Sequence, residues 1–174
     1  MSYRVREAVL GDVDVLVRHR IRMFTDMGLA LDAAALDTAF RPWLAEKMAA
    51  GIYRAWLVEA DDGSIAAGGG ISILPWPPGP NYMGDTIAIV YNLYTEPAHR
   101  RRGLARMLMN TVHAWAADHG ISSVALNASR DGLPLYESMG YQVTPTPMMF
   151  YSLTKSKRAD TNQPQPLTIR TISD

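Results

Sequence analysis

The chain has 174 residues, 48% hydrophobic and 20% charged, with 17 Lys plus Arg balanced by 17 Asp plus Glu. That length suits one domain with a sizeable core, and the neutral balance argues against bulk attraction to nucleic acid, so any basic site has to be local. The sequence contains no cysteine, which excludes disulfides, Cys-ligated zinc and a cysteine nucleophile and agrees with a reducing cytoplasm.

In chain order, YRVREA alternates and reads as a first strand. Its flanks carry too much charge for the apolar core of a signal peptide. No run approaches the roughly 20 apolar residues of a membrane span, so the expectation is a cytoplasmic protein that engages neither membrane nor nucleic acid. Val13, Leu16, Val17, Ile21 and Phe24 form a helical stripe, with Asp12 placed to cap it. Arg20, Met23 and Met27 share another helical face, and the methionines read as core packing. LDTAFRPWLAEKMAAG predicts a second helix, closed by Gly51. IYRAWLVEA, DDG and SIAAGGGISIL predict a hairpin with an Asp-Gly turn. The glycines at 68 to 70 mark a bulge or a close approach of chains. LPWPPGPNYMG is a loop, and DTIAIVYNLYT a long strand. GLARMLMNTVHAWAADHG is a strong helix, with Leu104, Met107, Leu108, Thr111, Val112 and Trp115 on one face and Gly120 as its stop. SSVALNAS is a strand, GLPLYESMG a short helix with Asp131 as N-cap, and YQVTPTPMMFYSL one or two strands. The tail is polar until LTIRTI, which has strand propensity and is expected to dock on a sheet edge, of its own subunit or of a partner in a homodimer.

Residues 94 to 108, YTEPAHRRRGLARML, place four arginines around a glycine between a strand and a helix. Glycine lets a ligand approach the backbone, the first amides of a helix have no partners within it, and its dipole favours anions there. Together these make a phosphate seat, with the arginines as counter-charge. The pattern is not a Gly-x-x-x-x-Gly-Lys-Ser/Thr loop, and no Gly-x-Gly-x-x-Gly opens the chain, so a P-loop nucleotidase and a dinucleotide fold are both disfavoured. His19, His99, His113 and His119 show no metal-ligand spacing, and no metal is expected. His99 lies in the phosphate turn; the other three read as helix-surface residues.

LYTEPAHRRRGLARMLM resembles the acyl-CoA-binding motif of the GNAT superfamily of N-acetyltransferases, with Arg100, Gly103 and Ala105 at the motif positions and Pro97 in the preceding turn. NASRDGLPLYESMGYQV resembles that family's second motif, with Gly132 where the family has alanine, Leu135 and Tyr136 matching, and Gly140-Tyr141 for Gly-Phe. The resemblance implies an α/β (α+β) GNAT fold. Its twisted sheet is mixed but mostly antiparallel, with about seven strands and about four helices, and is split between the fourth and fifth strands. The domain would span residues 1–153, and residues 154–174 would be the tail.

The resemblance also implies acetyl-CoA as cosubstrate, with pantetheine lying against Leu93, Tyr94 and Thr95 and pyrophosphate on the backbone of Arg101, Arg102, Gly103, Leu104, Ala105 and Arg106. Asn127 and Ser129 are further candidates for the cofactor cleft. A backbone amide near Leu93 or Tyr94 would polarise the thioester. Tyr136 would act as general acid to the leaving thiolate. Asp85, at the start of the long strand, is the candidate general base, followed by Glu46 and Tyr91; Glu96 is expected to face solvent, and Asp26 to flank the acceptor region. Tyr91 and Asn92 would face opposite sides of a regular strand, so only one should reach the acceptor unless a bulge intervenes. The acceptor would be a small-molecule or peptide amine. The alternative is an acyl-CoA-binding module that senses without turnover.

Overall fold

A hairpin of two long strands forms the centre of the sheet, because its residues alternate between two apolar layers. The computed structural model describes residues 2–79, 82–144 and 151. Its elements are β1 (Tyr3–Glu7), α1 (Val13–Asp26), α2 (Ala33–Ala49), β2 (Tyr53–Ala60), β3 (Ile65–Pro75), β4 (Thr86–Thr95), α3 (Leu104–Asp118), β5 (Val124–Leu126) and α4 (Leu133–Glu137). The five strands lie in chain order, the first three pairs antiparallel and β4 with β5 parallel. The sheet is therefore mixed, as expected, with five strands among the described residues. The further strands expected near the C-terminus do not begin at residues 141–144, and residues 145–150, 152–174 and the LTIRTI patch lie outside the described residues.

On β2, Tyr53, Ala55 and Leu57 point to Leu16, Val17, Phe40 and Leu44 of α1 and α2. Trp56, Val58 and Ala60 point the other way, to Leu104, Leu108, Met109 and Val112 of α3. This is the strand period of two, feeding a helical layer on each face. The buried stripe of α3 is Leu104, Leu108, Met109, Val112 and Ala116; the expected Met107, Thr111 and Trp115 are half-buried on its flank. Asp32 caps α2 through Ala35 N, 3.0 Å away. Asp12 holds the N-cap position of α1 without capping it. Its carboxylate instead accepts from Arg6 at 2.7 and 2.8 Å and from Val9 N. Met27 is exposed, not packed in the core.

β3 and β4 do not pair evenly. Gly70 faces Tyr91 and Gly68 faces Tyr94, so Gly69 alone opposes both Asn92 and Leu93. This is a β-bulge. Asn92 takes up the extra residue at φ 58°, a conformation uncommon outside glycine. The three glycines opposite serve space. A Cβ at Gly69 would lie 2.8 Å from Leu93 Cδ1, and one at Gly68 would lie 2.8 Å from Leu57 Cδ2 and 2.9 Å from His19 Nδ1. At Gly70 it would collide with the Tyr53 hydroxyl. Gly70→Ala is accordingly expected to destabilise the protein by about 1–3 kcal/mol, the usual cost of overpacking. Gly11→Ala, whose Cβ would meet only Val9 Cγ2 at 4.0 Å, should stay within about 0.5 kcal/mol. Urea unfolding of both variants is the check.

Candidate active site

The bulge divides two adjacent side chains between the two faces of the sheet. Leu93 packs with the α3 layer, in the cluster that contains Tyr136. Tyr91 and Asn92 both line a cavity of about 270 Å³ on the α1/α2 face, together with Arg20, Phe40, Trp43, Tyr53, Ser72 and Leu74. The alternation of a regular strand would have sent Tyr91 and Asn92 to opposite sides; the extra residue puts them on one.

The polar groups of this cavity form a chain. Arg20 Nη1 donates to Asn92 Oδ1 at 2.5 Å, and Asn92 Nδ2 donates to the Tyr53 hydroxyl at 2.9 Å. Tyr53 is fully buried, and burial pushes its hydroxyl up to about 12, so it stays protonated. Burial also lowers the pKa of Arg20. Its guanidinium carbon lies 4.8 Å from the centre of the Phe24 ring and 4.6 Å from that of Phe40. Sequence reasoning grouped Arg20 with two methionines. The usable signal was its place three residues after Val17 and four before Phe24, a cation on the apolar side of α1.

On the other side of the bulge, β4 leaves its parallel neighbour. β5 pairs with Ala88, Ile89 and Val90 only, and β4 runs on to Thr95. Asn127, exposed, follows directly on β5. A 3₁₀ turn, Pro97–His99, then leads to Arg101 at φ 62° and Gly103 at φ 79°, the N-cap of α3. A Cβ at Gly103 would meet nothing within 4 Å, so glycine is needed here for its left-handed backbone. The first amides of α3, from Leu104 through Ala105 to Arg106, open onto that space.

The arginines of this loop divide their work. Arg100 is committed elsewhere: it pairs with Asp26, the last residue of α1, and its Nε donates to Thr95 O at 3.1 Å. Asp26 also accepts from the Tyr94 hydroxyl at 3.3 Å. Arg100 thus ties the loop to α1 and is not held out as counter-charge. Arg106 donates to Ser138 Oγ at 2.7 Å, joining α3 to the end of α4. Arg101 and Arg102 are exposed beside Gly103.

Ser129 behaves as a turn residue: its hydroxyl accepts from Gly132 N at 3.2 Å and its carbonyl from Leu133 N at 3.0 Å. Gly132, not Asp131, is the N-cap of α4, with no side chain capping the helix. Tyr136 is buried against Tyr141, ring centres 5.8 Å apart. Burial raises its pKa, and its hydroxyl has no hydrogen-bond partner among the described residues.

The structure does not bring Asp85 to the bulge. Asp85 is exposed, accepts from Thr86 Oγ1 and immediately precedes β4. At ~3.3 Å per residue it lies about 23 Å along the chain from Asn92. Glu46 is exposed and paired with Lys47. Glu96 does not face solvent. Its side chain is 13% exposed, held by Arg22 at 2.6 Å and 3.9 Å from Arg18.

His19, expected on a helix surface, is buried beneath Tyr94. Its Nε2 is 3.3 Å from Glu96 Oε1 without making a hydrogen bond. The remaining helical histidines divide: His113 is half-buried and bonded to the Tyr141 hydroxyl at 2.7 Å, and His119 is exposed.

A family model described as an acetyltransferase (GNAT) domain matches residues 51–143. The chain belongs to this family. GNAT domains are acyltransferases, and the matched stretch contains the bulge, the α3 loop and Tyr136. The fold of a GCN5-related N-acetyltransferase from Ralstonia eutropha JMP134 superposes with a TM-score of 0.78 at 34% identity, over 86% of this chain and 99% of that one. A predicted acetyltransferase with acetyl-CoA from Clostridium acetobutylicum gives 0.77 at 25% identity, over 86% and 96%. Among curated relatives, Probable N-acetyltransferase family 8 member 5 of Mus musculus is 32% identical over 92 residues, 51% of this chain and 38% of that protein. The chain thus matches well under half the length of that relative.

Burial pushes the His19 imidazole from 6.5 down to about 4, against the pull of Glu96. As pH falls below 6.5, the unfolded chain takes up this proton before the folded one does, so stability drops through that window. The urea midpoint of the wild type should therefore fall more steeply between pH 6.5 and 4 than that of His19→Gln. Parallel slopes would contradict a buried neutral histidine.

Proposed function

We propose that this domain transfers an acetyl group from acetyl-CoA to a primary amine by direct attack in a ternary complex. The observation that carries the reading is the bulge at Asn92 and Leu93. It sets the open side of β4, where a thioester can lie, against a pocket on the opposite face of the sheet that can hold the amine. The residues present fit the cosubstrate. β4 is free of β5 beyond Val90, which leaves the backbone of Leu93, Tyr94 and Thr95 for pantetheine. The space at Gly103 and the amides of residues 101–106 suit the pyrophosphate. When bound, acetyl-CoA supplies the thioester: the amine nitrogen bonds to its carbonyl carbon, the C–S bond breaks, and CoA leaves as thiolate.

The chain's own groups then have separate tasks. A backbone amide near Leu93 or Tyr94 donates to the thioester oxygen, where negative charge grows in the transition state. Tyr136, on the α3 side and in one cluster with Leu93, donates its unpartnered hydroxyl to the departing sulfur. Its raised pKa favours a hydrogen bond over full transfer of the proton. Asn92 and Tyr53 shape the end of the pocket where the amine enters. Asp85 is exposed and distant from that end along β4, so the ammonium proton leaves to solvent.

Kinetics on the two candidate groups test these roles. Tyr136→Phe should lower kcat by about 10²–10⁴-fold while acetyl-CoA affinity, read by calorimetry, holds. A kcat near wild type would return Tyr136 to core packing. Asp85→Asn should leave the pH dependence of kcat/KM intact; a loss recovered at high pH would restore Asp85 as the base.

A further inference from the structure

The pocket proposed for the amine contains a cation of its own. Arg20 is largely withdrawn from solvent, clamped between two aromatic rings, and no carboxylate lies within ion-pair distance of it among the described residues. Other arginines on the same side of the sheet are matched: Arg22 with Glu96, Arg41 with Asp37, Arg100 with Asp26. Among the described residues, the one strong bond that Arg20 makes is to a neutral amide, that of Asn92, and its Nε is buried with no partner. A half-buried guanidinium that has lost part of its water and gained no anion is in deficit.

The neighbouring polar groups do not supply one. Asn92 has its oxygen engaged by Arg20, and Tyr53 accepts from Asn92, which leaves its own hydrogen to donate. Ser72 offers a further hydroxyl. The cavity therefore presents donors around a fixed positive charge. An amine that is only a cation would be repelled here. One that also carries a negative group would not.

We infer that the acceptor is an amine bearing a carboxylate, an amino acid with an apolar or aromatic side group, whose carboxylate binds Arg20. This rests on the acetyl-transfer reading for its amine, not for its anion. A guanidinium fork matches carboxylate and phosphate alike; a carboxylate fits better because its single negative charge balances the one guanidinium, whereas a phosphate monoester, at about −1.5 to −2, would leave excess charge in a largely apolar cavity. Phe40, Trp43 and Leu74 supply the apolar wall. The volume of about 270 Å³ lies just below the range for drug-sized ligands, about 300–1,000 Å³, and so suits a single small molecule.

The test compares L-phenylalanine, L-phenylalaninamide, phenylethylamine and O-phosphoethanolamine on the wild-type protein saturated with acetyl-CoA. Binding is read with desulfo-CoA in place of acetyl-CoA, by calorimetry, and turnover is read as CoA release. Phenylalanine should bind about 10–100-fold more tightly than its amide or phenylethylamine, the range expected for a charge-assisted hydrogen bond. Arg20→Gln should shrink that ratio towards one, and Arg20→Lys should recover only part of it. Equal binding of phenylalanine and phenylethylamine to the wild type overturns the inference, as does a preference for O-phosphoethanolamine. Preferential binding of phenylalanine without CoA release would sustain the anion site and count against acetyl transfer, so the two readings fail separately.

Discussion

One extra residue in β4 organises this molecule. At the bulge, Asn92 and Leu93 both face Gly69, and the strand alternation is reset between them. Asn92 turns to the α1/α2 layer and Leu93 to the α3 layer. Without the bulge, Tyr91 and Asn92 would be split between the faces, and the pocket would lose part of its wall. The strain at Asn92, a non-glycine residue at φ 58°, is held in place by bonds on both sides of its amide, from Arg20 and to Tyr53. Such outliers persist where surrounding structure over-determines them. Here the determinants are the glycines of β3, which make room, and the side-chain chain, which fixes direction.

α1 connects this pivot to the loop at the start of α3. Arg20 reaches the pocket, Arg22 grips Glu96 just after β4, and Asp26 holds Arg100 and the Tyr94 hydroxyl. A single helix thus contacts the Asn92 cavity, the end of β4 and the base of the loop before α3. Ion pairs with at least one solvent-exposed partner contribute little on their own, so Arg22–Glu96 and Arg100–Asp26 matter here as geometry. They set where α1 lies along β4, and hence where the Arg20 guanidinium sits.

Local features were legible in the sequence. The hairpin, the strand–arginine–glycine–helix unit and the short helix bearing Tyr136 depend on turn chemistry and periodicity within about 15 residues. The three glycines of β3 gave fair notice of a close approach, though not of the bulge opposite. What the sequence concealed was long-range. Arg100 reads as a phosphate ligand until Asp26, far earlier in the chain, is placed beside it. His19 reads as a surface residue because helical periodicity cannot show that β3 lacks side chains beneath it. Asp85 reads as a candidate base when its strand is taken as a whole, but the sequence does not show that it stands exposed just before β4, seven residues ahead of Asn92. Arg20 was visible as a cation on an apolar stripe, but its meaning depends on Asn92, and that depends on the bulge.

Whether the bulge sets the thioester at the mouth of the Arg20–Asn92 pocket is measured directly by a crystal structure of the complex with acetyl-CoA. The predicted result is a thioester oxygen within hydrogen-bond distance of the Leu93 or Tyr94 amide, pyrophosphate on the amides of residues 101–106, and the acetyl group opening towards Asn92. An acetyl group turned away from that pocket, with the amides of the bulge left unused, would contradict it.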